Sequence, residues 1–271
     1  MKIFAIRDES APEEKDLGYL LYYAGDKRFY IELPKDADPW ETPLLLSSLL
    51  KKGETSINSY WSKIWVQQRI VPTDRQNIGQ ILKKYHLSEY DEFDLLMIAR
   101  GRCAQDDYYL TPISREQLPK EILQRFLTKI EDVVPLSSQN LLVFFSNGKV
   151  KKCSLGAYFT EHPQFGILLK NEAFFQNVKI QTGGFGVSWG ENLMLSDQFL
   201  YDLSRIVPLS WEDFEHFVQL RVLTSAEAAE YLGCSRQYLA ELRQKGKLHP
   251  IKVTGKSVLY SKSELSKMNW E

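Results

Sequence analysis

The chain has 271 residues, with 34 basic and 35 acidic side chains and a formal net charge of −1. A hydrophobic fraction of 44% predicts ordinary globular packing, and the length allows two or three domains. The sequence contains no membrane-length apolar run and no signal-peptide core, and its three cysteines form no paired motif. We therefore expect a cytoplasmic protein without a structural disulfide, a metal site or a cofactor.

Residues 1–132 are predicted to form an N-terminal α+β domain. The pattern predicts a first strand within residues 1–8 and a hairpin over residues 19–33. Helical periodicity follows at 43–52, 58–69, 73–84, 90–100 and 119–130. Thr73 and Gln76 have the spacing of a capping box, which would start the third of these helices.

Charged side chains are concentrated in the middle of this domain, and two interpretations stay open. One is a network of ion pairs in which arginines pair with Asp74, Asp91 and Asp106. The other is an anion-binding or active site, because guanidinium groups bind carboxylates and phosphates in a bidentate manner. That site would use three arginines: Arg69, Arg75 and Arg102. We do not expect an enzyme, because no histidine or nucleophile lies in a recognisable catalytic setting.

Residues 133–206 are predicted to form a small, β-rich α+β domain. An apolar strand at 141–145 and a partner strand at 149–154 are joined by Asn147-Gly148, a strong hairpin signal. A short helix near 171–175 and further strands near 178–180 and 185–189 follow. Three aromatic residues either form the core or bind a partner on the surface: Phe174, Trp189 and Tyr201.

Several segments of this domain resemble a small bacterial domain of unknown function. These segments are residues 145–150, 168–175, 187–189 and 200–202. That family is often encoded beside a helix-turn-helix domain or fused to one. The resemblance implies a fold and attaches no chemistry to it.

Residues 207–271 begin with a predicted helix and end with a compact series of motifs. Ser210 and Asp213 can cap a helix over 211–220, which we expect to dock this domain onto the middle one. A second capping box, formed by Thr224 and Glu227, starts a helix that ends at Gly233.

The next helix is predicted over residues 236–245, with Ser235 as its N-cap and Gly246 as its stop. Leu239 and Leu242 form its apolar side. A hairpin with a turn at 254–256 and a last helix, started by a third capping box of Ser261 and Glu264, complete the region.

Positive charge is local to this region. From Gly233 to Lys262 there are seven basic residues and one acidic residue, Glu241, although the whole chain is slightly acidic. Local positive charge is what contact with nucleic-acid phosphates requires. The alternative is a small helical domain with a solvated, lysine-rich face.

The C-terminal region resembles the winged helix-turn-helix domains of the excisionase and MerR-like family. The matching residues are 223–224, 227–229, 232–233, 235–236, 242, 245–246, 248 and 259–265. The resemblance implies that four residues enter a DNA groove: Ser235, Arg236, Gln237 and Tyr238. It also implies a wing near phosphate or the minor groove that carries Lys252, Thr254 and Lys256. Arg243 and Lys245 of the same helix are further candidates for DNA contact.

These observations predict an α+β, multi-domain protein that binds double-stranded DNA and acts as a prokaryotic transcriptional regulator. Only Arg236 and Gln237 are good bidentate base readers, so useful affinity and specificity suggest a homodimer on paired half-sites. The alternative is a protein-interaction module, such as an antitoxin or a phage-encoded inhibitor. Its N-terminal domain would bind a protein partner, and its DNA-binding domain would be auxiliary.

Overall fold

The computed structural model describes residues 1–11, 14–204, 211–255 and 257–270. The chain folds into two compact units, residues 1–123 and residues 124–271. Helices are combined with antiparallel sheets, so the fold class is α+β, as predicted. The three-part division that the sequence suggests, with boundaries near residues 132 and 206, stays a prediction.

The first unit is built on a five-stranded antiparallel sheet in the order β4-β3-β2-β1-β5. Its strands are β1 (Lys2–Asp8), β2 (Gly18–Tyr23), β3 (Arg28–Glu32), β4 (Ser56–Ile57) and β5 (Tyr108–Ile113). Its helices are α1 (Leu44–Leu50), α2 (Ser59–Gln67), α3 (Ile78–Lys84) and α4 (Glu92–Ile98). A fifth helix, α5 (Lys120–Phe126), crosses the boundary between the units. The predicted first strand and the following hairpin are confirmed.

One face of this sheet forms the core of the unit with three helices. Successive residues of a strand point to opposite faces, so alternate positions of β1, β2 and β3 share one side. Their partners come from α1, α2 and α4. The buried residues include Phe4, Ile6, Leu20, Phe29, Ile31, Leu46, Trp65 and Leu96.

Two sequence predictions about helix ends are wrong. Helix α3 begins at Ile78 rather than near Thr73, because the N–H of Arg75 bonds to the carbonyl of Pro72 and closes a turn there (3.3 Å). Helix α5 ends at Phe126, and Ile130 starts a strand instead of ending the helix. The Thr128 hydroxyl donates to the carbonyl of Arg125 (2.9 Å) and contributes to that end.

A buried arginine holds the loop before β5. Only 2% of the Arg69 side chain is exposed, and its two terminal nitrogens donate to the carboxylate of Asp106 at 2.8 and 2.6 Å. Arg69 also donates to the carbonyl of Gly101 (3.1 Å), and its guanidinium lies 4.1 Å from the ring centre of Trp65. Burial would raise the pKa of Asp106, but the bonds and charge of Arg69 hold that pKa below its usual range.

The second unit contains three small antiparallel sheets, β6-β7-β8, β11-β10-β9 and β12-β14-β13. Its strands are β6 (Ile130–Leu136), β7 (Asn140–Phe145), β8 (Val150–Ser154), β9 (Lys179–Ile180), β10 (Gly186–Trp189), β11 (Leu193–Ser196), β12 (Val222–Thr224), β13 (Lys252–Val253) and β14 (Val258–Ser261). Its helices are α6 (Gly156–Glu161), α7 (Gly166–Lys170), α8 (Glu172–Gln176), α9 (Asp197–Leu203), α10 (Trp211–Arg221), α11 (Ser225–Tyr231), α12 (Arg236–Gln244) and α13 (Lys262–Trp270).

Both faces of the β6-β7-β8 sheet are covered by apolar groups. Leu141, Val143 and Phe145 face a core that also contains Trp189, whose indole N–H donates to the carbonyl of Phe175 (2.8 Å). Trp189 is therefore core, as one of the two sequence interpretations predicts, while Phe174 and Tyr201 are half-buried against the same core. The opposite face contains the buried side chains Val134, Leu136 and Leu142.

Two glycines of this unit provide a matched pair for a test of backbone packing. Gly148 and Gly184 have φ angles of +77° and +76°, a region that favours glycine. A Cβ on Gly148 would meet open space, whereas a Cβ on Gly184 would press against the backbone carbonyl of Ile130. Gly148→Ala should cost about 1–2 kcal/mol of unfolding free energy through its φ alone. Gly184→Ala should cost about 1–3 kcal/mol more, measured by urea unfolding. Equal losses would contradict the packing of Gly184 against β6.

The Arg69 and Asp106 pair predicts a pH-dependent stability of the first unit. Asp106→Asn should lower its unfolding free energy by about 2–3 kcal/mol at neutral pH, because Arg69 loses its charged partner. A carboxyl whose folded pKa is lowered stabilises the fold above its unfolded pKa, and this contribution is lost as the pH falls through the folded pKa. The difference between wild type and variant should therefore shrink below about pH 4.

The control for this prediction is Glu9→Gln, which removes the carboxylate partner of the exposed Arg102. Exposed pairs contribute little, so this variant should leave unfolding almost unchanged. Denaturant unfolding of all three proteins at several pH values makes the comparison. If Asp106→Asn were as stable as the wild type at neutral pH, or less stable by the same amount at every pH, the pair would not hold this loop.

Candidate nucleic-acid interface

The C-terminal part of the second unit is a helix-turn-helix with its own apolar core. Thr224 caps α11, its hydroxyl accepts from the N–H of Glu227 (3.4 Å), and the Glu227 carboxylate accepts from the N–H of Thr224 (2.8 Å), as predicted. Gly233 and Gly246 end the two helices with φ angles of +63° and +67°. The core is formed by Ala228, Leu239, Leu242, Leu248, Tyr260 and Leu265.

Helix α12 begins in solvent. The Ser235 hydroxyl caps it by accepting from the N–H of Tyr238 (3.2 Å). Ser235, Arg236 and Gln237 are exposed, and Tyr238 is 50% exposed. Leu239, the next residue, is only 1% exposed. The four residues predicted to enter a groove therefore lie together on the accessible beginning of one helix.

The second half of α12 is less open. Arg243 is half-buried, and Lys245 is exposed at the C-cap with its ammonium 3.6 Å from the carboxylate of Glu241. This acid, the only one between Gly233 and Lys262, offsets part of the local positive charge. The C-terminal end of the helix is thus less accessible and less positively charged than its basic residues alone would make it.

A hairpin follows α12 and presents polar groups at its tip. Lys252 pairs with Leu259 and Val253 with Val258 in the register of β13 and β14. The N–H of Thr254 bonds to the carbonyl of Ser257 (2.8 Å), and the Thr254 hydroxyl accepts from the N–H of Ser257 (3.0 Å). Lys252 and Thr254 are exposed, while Lys256 lies outside the described residues.

Lys262 is the last of the seven basic residues in the range from Gly233 to Lys262, and its environment differs from that of the exposed start of α12. It is half-buried at the start of α13, where burial and the charge of Arg221 lower its pKa. Lys262 is thus associated with the attachment of the domain and not with the exposed start of α12. Nearby, Glu264 accepts a hydrogen bond from the backbone N–H of His249 (2.7 Å).

Helix α10 attaches the helix-turn-helix to the β6-β7-β8 sheet. The rings of Phe217 and Phe144 are 4.8 Å apart on the sheet face opposite the middle core. The Arg221 guanidinium lies 3.1 Å from the buried carboxylate of Asp132, although burial still raises the pKa of Asp132. This arrangement agrees with the predicted docking helix, while the predicted cap Ser210 lies outside the described residues.

Two further ion pairs accompany this attachment. Lys152 of β8 reaches Asp213 of α10 (3.4 Å), and Lys267 of α13 reaches Glu131 of β6 (3.1 Å). The helix-turn-helix is therefore fixed to the middle sheet through the preceding helix α10 and through its own helix α13. The accessible start of α12 has a defined orientation relative to that sheet.

The three arginines of the predicted N-terminal anion site do not lie together in the structure. Arg69 packs 5.8 Å from the ring of Tyr108, and Arg102 packs 4.9 Å from the ring of Tyr109. Consecutive residues of a strand face opposite sides, so these two arginines are separated by β5 itself. Arg75 is exposed in the turn before α3.

The predicted network of ion pairs is found in part. Asp106 pairs with Arg69, as one interpretation proposes, and Arg102 pairs with Glu9 rather than with any predicted aspartate. Asp91 caps α4 and pairs with Lys27 (2.8 Å), so its predicted arginine partner is wrong. Within the described residues, no group of three or more histidine, cysteine or acidic side chains could hold a metal ion.

Comparison with known families identifies the C-terminal region. A family model described as a helix-turn-helix domain matches residues 222–268, which span β12 to α13. The predicted excisionase-like helix-turn-helix is therefore confirmed, and it supports DNA binding by this chain. In the described parts of the chain, no helix has the length and apolar character needed to span a bilayer.

A solved structure with some similarity comes from Nitrosomonas europaea ATCC 19718. It is the crystal structure of NE0471, a protein provisionally described as DNA-binding. The identity is 26% over 45% of this chain and 79% of that chain, with a TM-score of 0.26. Comparison with curated proteins gives no match. The family match thus identifies residues 222–268 as a helix-turn-helix domain.

Proposed function

We propose that this protein is a sequence-specific, double-stranded DNA-binding protein that acts as a prokaryotic transcriptional regulator, and not as an enzyme. The observation that carries the proposal is the exposed start of α12, from Ser235 to Tyr238, within a helix-turn-helix domain. In such domains the second helix enters the major groove and its N-terminal residues contact base edges.

Base reading is assigned to the two exposed residues at the helix start that suit it. Arg236 can donate two hydrogen bonds to guanine, and the Gln237 amide can pair with adenine. Ser235 and Tyr238 lie beside them and can contact bases or phosphates. This division assigns sequence discrimination to a small part of the surface.

Phosphate contact is assigned to the basic groups around this helix. The hairpin of β13 and β14 acts as a wing in this proposal, with Lys252, Lys256 and Thr254 near the DNA backbone. Arg243 and Lys245 serve the same purpose from α12. Cationic side chains that neutralise phosphates release counterions, so binding through them weakens as salt rises.

A homodimer on two half-sites would supply the affinity that a single small module lacks. Two copies double both the base contacts and the phosphate contacts. Because Arg236 and Gln237 are the strong base readers of one copy, paired sites also restore specificity. Sedimentation of the protein with and without DNA tests this part of the proposal.

A second candidate function is the binding of a protein partner by the first unit. Two large apolar side chains four residues apart are almost fully in solvent, Trp40 at 87% and Leu44 at 86% exposure. Exposed tryptophan is enriched at the centres of protein interfaces. Under this candidate, as for an antitoxin or phage-encoded inhibitor, DNA binding is auxiliary. Loss of a copurifying partner in Trp40→Ala, with DNA binding intact, would support it.

The DNA-binding proposal predicts distinct effects for two kinds of substitution. Lys252→Ala should weaken binding to all duplexes alike and reduce the slope of log affinity against log salt by about one. Arg236→Ala should cost about 1–3 kcal/mol on a preferred site and much less on other sequences. Both effects are measured by fluorescence anisotropy between about 50 and about 200 mM salt, on a site selected from a random pool.

The matched control is Lys179→Ala, which removes an exposed lysine from β9 of the same unit. It carries the same charge change as Lys252→Ala, yet its binding curves should overlay those of the wild type. Equal effects of the two lysine substitutions would indicate a nonspecific charge response. Salt-independent binding, or no binding at low salt, would contradict the proposal.

A further inference from the structure

A cavity of about 420 Å³ in the first unit is separate from the helix-turn-helix region and lies beside the edge strand β5. Its apolar lining includes Phe4, Met97 and Leu110. Its lining also includes two arginines and an aromatic group, Arg100, Arg102 and Tyr109. The cavity therefore combines an apolar wall with two guanidinium groups, the arrangement expected of a small-molecule site with a few placed polar groups.

The two arginines differ in whether their side-chain N–H groups already have a hydrogen-bond partner. Arg100 is exposed, and among the described residues its side chain has no hydrogen-bond or ion-pair partner. Arg102 donates from Nε and Nη2 to the carboxylate of Glu9, both at 3.2 Å, and packs 4.9 Å from the ring of Tyr109. Arg102 thus already binds a carboxylate in the bidentate manner, and Arg100 has the same capacity unused.

The end of α4 fixes the position of Arg100. Arg100 has φ of +51° and Gly101 φ of +71°, and the N–H of Gly101 bonds to the carbonyl of Leu96 (2.9 Å) in a helix-ending turn. The carbonyl of Arg100 accepts from the N–H of Leu110 (2.8 Å), which ties the turn to β5. The backbone that carries Arg100 is therefore held on both sides.

An extended peptide does not suit this edge of the sheet. The N–H of Leu110 is taken by Arg100, the N–H of Tyr108 is taken by the Asp106 carboxylate (3.2 Å), and position 112 is a proline. The backbone N–H groups that point away from β1 are thus already bonded or, at Pro112, missing. Natural sheets prevent the addition of a further strand in this way. The occupant is expected to use side-chain contacts and the apolar wall.

We propose that this cavity binds a small organic anion with a flat apolar body and a carboxylate, sulfonate or phosphate head. The body packs against Met97 and Pro112, over the buried Phe4 and Leu110, and the head accepts from Arg100, with Arg102 as the second donor. Glu9 competes for Arg102, so it limits the affinity of the site. This site is independent of DNA binding and would give the first unit the capacity to sense a metabolite-sized ligand.

The test is isothermal titration of the full chain with naphthalene-2-sulfonate at low salt, beside its neutral analogue 2-naphthol. The sulfonate should bind with a dissociation constant near or below about 1 mM, and the naphthol at least about tenfold more weakly. Arg100→Gln should weaken sulfonate binding about tenfold, because one charge-assisted hydrogen bond is lost. Glu9→Gln should strengthen it severalfold by releasing Arg102.

Arg75→Gln is the matched control, since Arg75 is an exposed arginine of the same unit that does not line the cavity. It should leave sulfonate binding unchanged, and thermal unfolding should show that all variants are folded. Equal affinity for sulfonate and naphthol would reduce the site to an apolar cleft and overturn the proposal. Absence of sulfonate binding, or equal losses in Arg100→Gln and Arg75→Gln, would overturn it as well.

Discussion

The burial of Leu239 and Leu242 is the constraint on which the proposed activity depends. These two side chains are three positions apart on α12 and pack into the same core as Ala228 and Tyr260. Each buried leucine contributes about 1.5–3 kcal/mol, so the helix cannot rotate about its axis without a large loss. Because this side of α12 is fixed inward, the residues from Ser235 to Tyr238 remain at its accessible beginning.

The position of the helix-turn-helix within the second unit is fixed by packing as well. The β6-β7-β8 sheet packs one face against the middle core and the other against α10, which directly precedes the helix-turn-helix. Phe217 supplies apolar contact and Arg221 supplies a charge contact to the buried Asp132. A buried pair of this kind adds little net stability, but it penalises other placements of α10. The accessible start of α12 therefore takes its orientation from the middle sheet.

Local chemistry explains which features could be predicted from the sequence. The Thr224 cap, the Ser235 cap, Gly233 and the Asn147-Gly148 turn each depend on a few neighbouring residues, and the structure contains all of them. Strand β5 went unpredicted because Pro112 weakens its strand-like sequence pattern and because an edge strand is defined by its pairing, here with β1. Strand β6 went unpredicted because Ile130 continues the helical spacing of α5.

Long-range pairing explains why the sequence left two interpretations of the arginines open. Arg69 and Asp106 meet across 37 positions of sequence, and nothing local marks them as partners. The separation of Arg69 from Arg102 follows from the alternating faces of β5, a strand that the sequence did not reveal. The turn after α4 places Arg100 at the cavity. Gly101 is the only residue whose type indicates the positive φ angles of this turn. A residue's chemistry can be read from sequence, whereas its neighbours across a sheet cannot.

Hydrogen exchange of the full chain, with and without a mixed-sequence duplex about three helical turns long, tests the central claim most directly. At low salt, DNA should slow exchange in residues 235–245 and in the hairpin of residues 252–261. The amides of α3 and α8 should exchange at unchanged rates. Protection confined to other elements, or no protection at a duplex concentration that saturates binding, would contradict the account of α12 as the DNA-reading helix.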